Sequence, residues 1–296
     1  MPANRLASPV RLALDAMGTR FELVLGAGEA VRLRAAGEEA LAEILRLDHQ
    51  LSVYRPSSEV SWLNARASHG PVVVEASLFA LLECCQALSR ATEGAFDITI
   101  GPLMRAWGFI NGSGRLPAEH ERRAAQANVG WECVELDPER RAVRFRRPGM
   151  RIDFGAIGKG YAVDAAIQIL RSHEITSALL HGGTSSIYAI GAPDDSQAWQ
   201  IGWTSPAGDA RTFTLRDGAL SVSAVHGKAF EIGGQVLGHV MDPRTGAPTM
   251  AARAVVVTGP RSLESEVLST ALLVLGPGWV GEFNRRFPQY NAAAAV

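Results

Sequence analysis

Helix-period and strand-period apolar patterns are segregated along this chain, and that segregation narrows its fold more than any other feature. Glu29–Leu47 carries Leu41, Ile44 and Leu45 on an amphipathic pattern, and Leu78, Leu81, Leu82, Cys85 and Leu88 repeat at i, i+3, i+4, i+7 and i+10. A polar helix is expected within Pro117–Asn128. Strands are predicted at Leu12–Leu25, broken by Ala16-Met17-Gly18-Thr19, and at Val72–Val74, with a loop over Ser52–Asn64. Later come short strands at Val134–Leu136, Ala142–Phe145 and Met150–Phe154, then a meander through Ala178–Ile190, Trp199–Trp203, Thr212–Leu215 and Leu220–Ser223 to a last strand, Ala254–Thr258. Helices Tyr161–His173 and Leu263–Leu275 complete the pattern. With so few βαβ alternations, the prediction is an α+β fold of mostly antiparallel sheets with packed helices, not a doubly wound sheet. Residues 11–290 are expected to form one compact domain, with a flexible N-terminus over 1–10 and a frayed alanine-rich tail over 291–296.

Charge and cysteine content exclude several functions. A net charge of -1 supplies no basic field for a nucleic-acid backbone. The three cysteines, Cys84, Cys85 and Cys133, lack zinc or disulfide-framework spacing and read as core filling. No apolar run is long enough for a transmembrane helix. Residues Met1–Pro9 lack the apolar stretch of a signal peptide and no lipobox-like cysteine occurs, so the sequence as it stands predicts a cytoplasmic protein.

Three segments have chemical content. Asp153-Phe154-Gly155-Ala156-Ile157-Gly158-Lys159-Gly160-Tyr161-Ala162-Val163-Asp164 places an aspartate at the end of a buried strand, then three glycines and a lysine where a helix begins. Glycines admit close backbone approach, and a helix start presents free N–H groups to anions, so the segment suits a phosphoryl ligand. A tight structural turn is the competing reading. It is not a Walker A loop, whose four-residue gap and following Ser or Thr are missing. His239-Val240-Met241-Asp242-Pro243-Arg244-Thr245-Gly246-Ala247-Pro248 reads either as a hairpin turn or as a histidine poised for proton transfer. Glu266, Ser269 and Thr270, at i, i+3 and i+4, put three oxygens on one helix face. Such a face suits Mg²⁺, or is a polar face bonded back to its own backbone.

Taken in order, these segments resemble the FAD:protein FMN transferase (ApbE-like) family. The likeness also covers Ala16-Met17-Gly18-Thr19, Leu51-Ser52-Val53-Tyr54 with Ser58-Glu59 and Leu63-Asn64, and Gly94-Ala95-Phe96-Asp97-Ile98-Thr99 with Gly101-Pro102-Leu103 and Trp107-Gly108-Phe109. The resemblance implies an enzyme that splits FAD, attaches FMN through its phosphate to a Thr or Ser of a target flavoprotein, and releases AMP. It implies an FAD cleft contacted by Met17, Tyr54, Ala95, Phe96, Asp97, Asp153, Lys159 and Val240. It implies Mg²⁺ held by the Ala156 carbonyl, Glu266, Ser269 and Thr270. His239 is the expected base, with Asp153 the competitor.

The chain departs from the family pattern in four places. Thr184 stands where an acidic residue usually follows paired glycines, and Val222-Ser223-Ala224 replaces Thr-Ser-Gly. Glu266 stands for aspartate, and Ser269 lies where a second acid is frequent. These departures leave a second expectation open, a relative that binds or hydrolyses FAD without labelling protein. A phosphate-binding structural module is the reading that needs no family.

Overall fold

The computed structural model describes residues 9–110, 112, 114–193, 196–205, 208–225, 229–232, 235–250 and 252–295. Most of the expected flexible N-terminus (1–8) lies outside the described residues; Val10 already belongs to a strand. In chain order, β1 (Val10–Ala16) and β2 (Thr19–Leu25) lead to α1 (Ala30–Leu51), α2 (Glu59–Arg66), β3 (Val72–Val73) and α3 (Ala76–Ala91). Next come α4 (Gly101–Ala106), α5 (Glu119–Gln126), β4 (Val134–Asp137), β5 (Ala142–Phe145) and α6 (Gly158–Ser172). The strands β6 (Ala178–Gly182), β7 (Ser186–Ile190), β8 (Trp199–Thr204), β9 (Ala210–Leu215) and β10 (Gly218–Ala224) follow. Four short strands, β11 (Ala229–Ile232), β12 (Gln235–Gly238), β13 (Met241–Asp242) and β14 (Ala247–Pro248), precede β15 (Ala254–Gly259). The chain closes through α7 (Ser262–Leu275), α8 (Val280–Arg286) and β16 (Asn291–Ala295).

Seven strands form the principal sheet in the order β1-β2-β6-β7-β10-β15-β16, and every described pairing within it is antiparallel. The α+β expectation is met. Helix α1 lies against β1 and β2, α6 against β6 and β7, and α7 against β10 and β15, with α1 touching α6 and α6 touching α7. The opposite face of β7, β10 and β15 is covered by the β8–β9 hairpin through Ile201, Leu215 and their aromatic neighbours. That cover explains why β7 is buried at every position rather than at alternate ones.

Helix α7 lies in the middle of the molecule. Leu268 and Leu272 pack with the sheet residues Val255 and Val257. Leu263, Val267, Ala271 and Val274 join a second core with α2, α3, the β3-β5-β4 sheet and the 150–157 segment. A helix buried on nearly all sides must bond its polar residues internally, because no water is there to take them.

Four expectations need correction. Met150–Phe154 is extended but belongs to no ladder, because its hydrogen bonds are taken elsewhere. The Asn64 side chain donates to the Ile152 carbonyl at 2.9 Å and accepts from its N–H at 2.7 Å, and Asp153 N–H donates to the Ile98 carbonyl at 2.8 Å. The expected 52–64 loop contains the start of α2, capped by Ser58, whose hydroxyl accepts from Ser61 N–H at 2.9 Å. The tail expected to fray pairs as β16 over Asn291–Ala295, against residues 254–258 of β15. Backbone pairing to an available sheet edge outweighs the weak strand preference of alanine. Strand Ala254–Thr258 is therefore not the last.

Helices α6 and α7 cross closely at Gly160. A Cβ there would lie 2.6 Å from the Ser262 carbonyl oxygen and 3.0 Å from Glu266 Oε2. Both neighbours are fixed, one of them backbone, so the helices would have to separate. Gly160→Ala is expected to destabilise by about 1–3 kcal/mol in denaturant unfolding; an unchanged midpoint would mean the crossing tolerates a methyl group.

Candidate active site

The turn before α6 is fixed from three directions. Asn64 and Ile98 hold its entry, as described above. Asp153, itself buried, accepts the Gly155 N–H at 2.7 Å, and Gly158 N–H closes onto the Phe154 carbonyl at 2.7 Å. Gly155 and Ala156 are left exposed at the tip of the turn, just before α6 begins.

Immediately inside α6, three donors converge on one carboxylate. Glu266, 4% exposed, accepts the Gly160 N–H on Oε2 at 2.7 Å. Its Oε1 lies 3.1 Å from Lys159 Nζ and also accepts a short hydrogen bond from the Ser186 hydroxyl on β7. A buried carboxylate needs such compensation, since desolvation without partners would be far more costly than the bonds return. The start of α6 and the oxygen face of α7 are thus one locus.

One turn further along α7, that face continues as hydroxyls. Ser269 Oγ is 2.8 Å from Ser223 Oγ and 3.2 Å from Ser221 Oγ, and it donates to the Glu266 carbonyl at 3.1 Å. Thr270 Oγ1 is 3.2 Å from Ser223 Oγ. Ser186, Ser221 and Ser223 were not among the predicted site residues. The i, i+2 spacing of Ser221 and Ser223 was the available signal, because alternate strand residues share a face, but nothing in the sequence placed β10 beneath α7.

Asp164, the last residue of the glycine-spaced segment, is a trans cap. Its two oxygens accept the Ser262 and Leu263 N–H groups at 2.8 and 3.1 Å, at the start of α7. Burial pushes its carboxyl above the usual range, against those two hydrogen bonds. The motif therefore supplies both the turn before α6 and the first-turn acceptor of α7.

The remaining predicted residues lie on the elements around this locus. Met17 (φ 51) and Gly18 (φ 70) form the two-residue β1–β2 connection, whose paired positive φ values suit a right-twisted hairpin. Met17 N–H donates to Asp48 Oδ1 on α1 at 2.9 Å. Tyr54, 53% exposed, shares with Met17, Asp48 and Arg55 an open cleft of about 580 Å³. Its phenol is raised by partial burial and then by the negative charge of Asp153. Ala95 and Phe96 are buried in the same core cluster as Phe154 and Ile157. Asp97 caps the short 3₁₀ turn after them by accepting Thr99 N–H at 2.8 Å, and burial raises its carboxyl to about 6. The His239 ring stands edge-on to Phe109 at 6.5 Å. Val240 packs against both cores that flank α7, and its carbonyl accepts Thr249 N–H at 2.8 Å. The hairpin reading of 239–248 holds, since Met241–Asp242 pairs with Ala247–Pro248. Arg244 braces that hairpin through two bonds to the Asp242 carboxylate, at 2.9 and 2.8 Å.

These features define an α+β protein in which a helix start, a lysine and a hydroxyl-rich buried face meet at one locus. The particular family follows from comparison: the chain belongs to the ApbE family, whose sequence model matches residues 17–294. It is 31% identical over 301 aligned residues to the FAD:protein FMN transferase of Treponema pallidum, covering 93% of this chain and 83% of that protein. It is 32% identical to an FAD:protein FMN transferase of Klebsiella pneumoniae, covering 81% and 77%. The ApbE protein of Thermotoga maritima superposes with a TM-score of 0.89 at 27% identity, covering 97% of this chain and 94% of that one. The flavinyl transferase ApbE of Pseudomonas stutzeri does so at 0.85 and 27%, covering 97% and 95%.

The raised carboxyl of Asp97 predicts a pH dependence. With a folded value of about 6 against an ordinary 3.8, the native state keeps a proton that the unfolded chain releases. This contribution is fully present below the ordinary value and is lost as pH rises through about 6. Relative to Asp97→Asn, the wild type should lose up to about 3 kcal/mol between pH 4 and pH 7. Parallel stability–pH curves for the two proteins would show that Asp97 titrates normally.

Proposed function

We propose that this chain is a flavin transferase that cleaves FAD and attaches FMN, through a phosphoester bond, to a Thr or Ser of a target flavoprotein. The observation that supports this most is the convergence of Lys159, the Gly160 N–H and Ser186 on Glu266, which joins the anion-binding helix start to the oxygen face of α7. A diphosphate seated at the start of α6 would meet the exposed turn residues Gly155 and Ala156, the positive end of the helix, and the remaining protons of the Lys159 ammonium. The isoalloxazine would extend into the cleft bounded by Met17 and Tyr54.

In the transfer, the acceptor hydroxyl oxygen bonds to the FMN phosphorus, the bond from that phosphorus to the AMP oxygen breaks, and AMP leaves. The acceptor proton goes to a protein base. His239 is assigned that role, on a braced hairpin next to Val240; Asp153 is assigned to orient the turn, since its carboxylate already accepts Gly155 N–H.

The donor set around α7 fits Mg²⁺. All the available groups are hard oxygens, and one carboxylate with substrate phosphates meets the ordinary demand of this ion. Among the described residues there is no group of three or more His, Cys, Asp or Glu able to hold a metal ion, so an ion here would depend on hydroxyl, carbonyl and substrate oxygens beside the single carboxylate. Glu266, Ser269, Thr270 and the Ala156 carbonyl would hold Mg²⁺, which supplies charge neutralisation to the diphosphate when bound.

One observation favours the second reading, an FAD-binding or FAD-hydrolysing relative: Glu266 is already engaged by three donors. In-gel fluorescence of a denatured flavoprotein acceptor, after incubation with FAD and Mg²⁺, separates the two. A fluorescent acceptor with stoichiometric AMP is expected; AMP without label selects hydrolysis, and neither selects binding alone.

His239→Ala should lower kcat by about 10²–10⁴-fold with FAD affinity preserved. If Asp153→Asn behaves that way and His239→Ala retains activity, the two roles are reversed.

A further inference from the structure

The Lys159–Glu266 contact has a consequence for how a cation reaches this locus, and it rests on the reading of α7 just given. Oε1 of Glu266 has two acceptor positions, and both are filled, one by the Ser186 hydroxyl and one by the Lys159 ammonium at 3.1 Å. Oε2 takes the Gly160 N–H at 2.7 Å, packed at a crossing too tight for a Cβ. The Ser186 and Gly160 donors are held by a central strand and a helix backbone. The lysine is the only one of the three on a long, rotatable stem, and its side chain keeps 22% of its exposure.

We infer that Lys159 is a built-in placeholder cation: it occupies the Glu266 oxygen that a divalent ion would use, and must swing off that oxygen when the ion binds. A Mg²⁺ ion bonds carboxylate oxygen at about 2.0–2.1 Å. With the ammonium still in place, the two cations would lie within about 5 Å of each other in a buried site. Displacement relieves that repulsion, and the freed ammonium has one natural destination, the phosphates of a nucleotide at the start of α6. Divalent-ion binding and nucleotide binding are thereby coupled through one side chain. The lysine, in this view, keeps Glu266 compensated and discourages ion binding until the nucleotide draws it away.

The test is Mn²⁺ binding to the full chain without FAD, followed by electron paramagnetic resonance, for wild type, Lys159→Met, Lys159→Arg and the double variant Lys159→Met/Glu266→Gln. The expected result is at least a tenfold gain in Mn²⁺ affinity for Lys159→Met, none for Lys159→Arg, and loss of the gain in the double variant. Thermal unfolding guards against a folding artefact: Mn²⁺ should raise the melting temperature of Lys159→Met more than that of wild type. Equal or weaker Mn²⁺ binding by Lys159→Met, including none by any variant, overturns the inference. The flavinylation assay is separate. Loss of protein labelling with the Mn²⁺ gain intact would count against the transferase reading alone, and labelling with no gain would count against the placeholder alone.

Discussion

A single buried carboxylate ties the functional half of this molecule together. Glu266 sits on a helix enclosed by two cores, so its charge can persist only with donors supplied by the protein. Those donors come from two places far apart in sequence: the adjacent Lys159 ammonium and Gly160 N–H in the first turn of α6, and a serine on β7. Breaking the set by removing one partner leaves a charge with incomplete compensation, and that is why the start of α6, α7 and the sheet are fixed relative to one another at this point.

The same economy runs through the neighbouring contacts. Gly160 is small because Ser262 and Glu266 approach it. Asp164, one turn along α6, caps the beginning of α7. Asn64 replaces a neighbouring strand for residues 151–153 by bonding both sides of Ile152. Each is a local choice of residue that delivers backbone or charge to the place where a diphosphate would lie. Under the proposed reading, binding and positioning would come from preorganised backbone and the Lys159 cation, and the open cleft by Met17 and Tyr54 would admit the larger, flatter part of a flavin nucleotide.

Much of this was legible in the sequence, for identifiable reasons. The long helices α1, α3, α6 and α7 announce themselves by apolar spacing, and the early-helix, late-strand order gave the fold class. The Asp153–Asp164 and 239–248 segments stood out because glycine, proline and charge are concentrated there. What was hidden depended on tertiary contact. The hydroxyls of Ser186, Ser221 and Ser223 acquire meaning only once β7 and β10 lie under α7. Met150–Phe154 has strand composition but bonds to a side chain, and the alanine tail has coil composition but finds a sheet edge. The trans cap by Asp164 links residues 98 apart, a distance no local pattern reports.

The central claim is that the phosphates of FAD lie at the start of α6, between Lys159 and the oxygen face of α7. A crystal structure of the FAD complex tests it most directly. The account predicts phosphate oxygens within about 3 Å of Lys159 Nζ and of backbone N–H groups at the α6 start. A flavin nucleotide bound with its diphosphate away from Lys159, and Glu266 remote from it, would contradict the account.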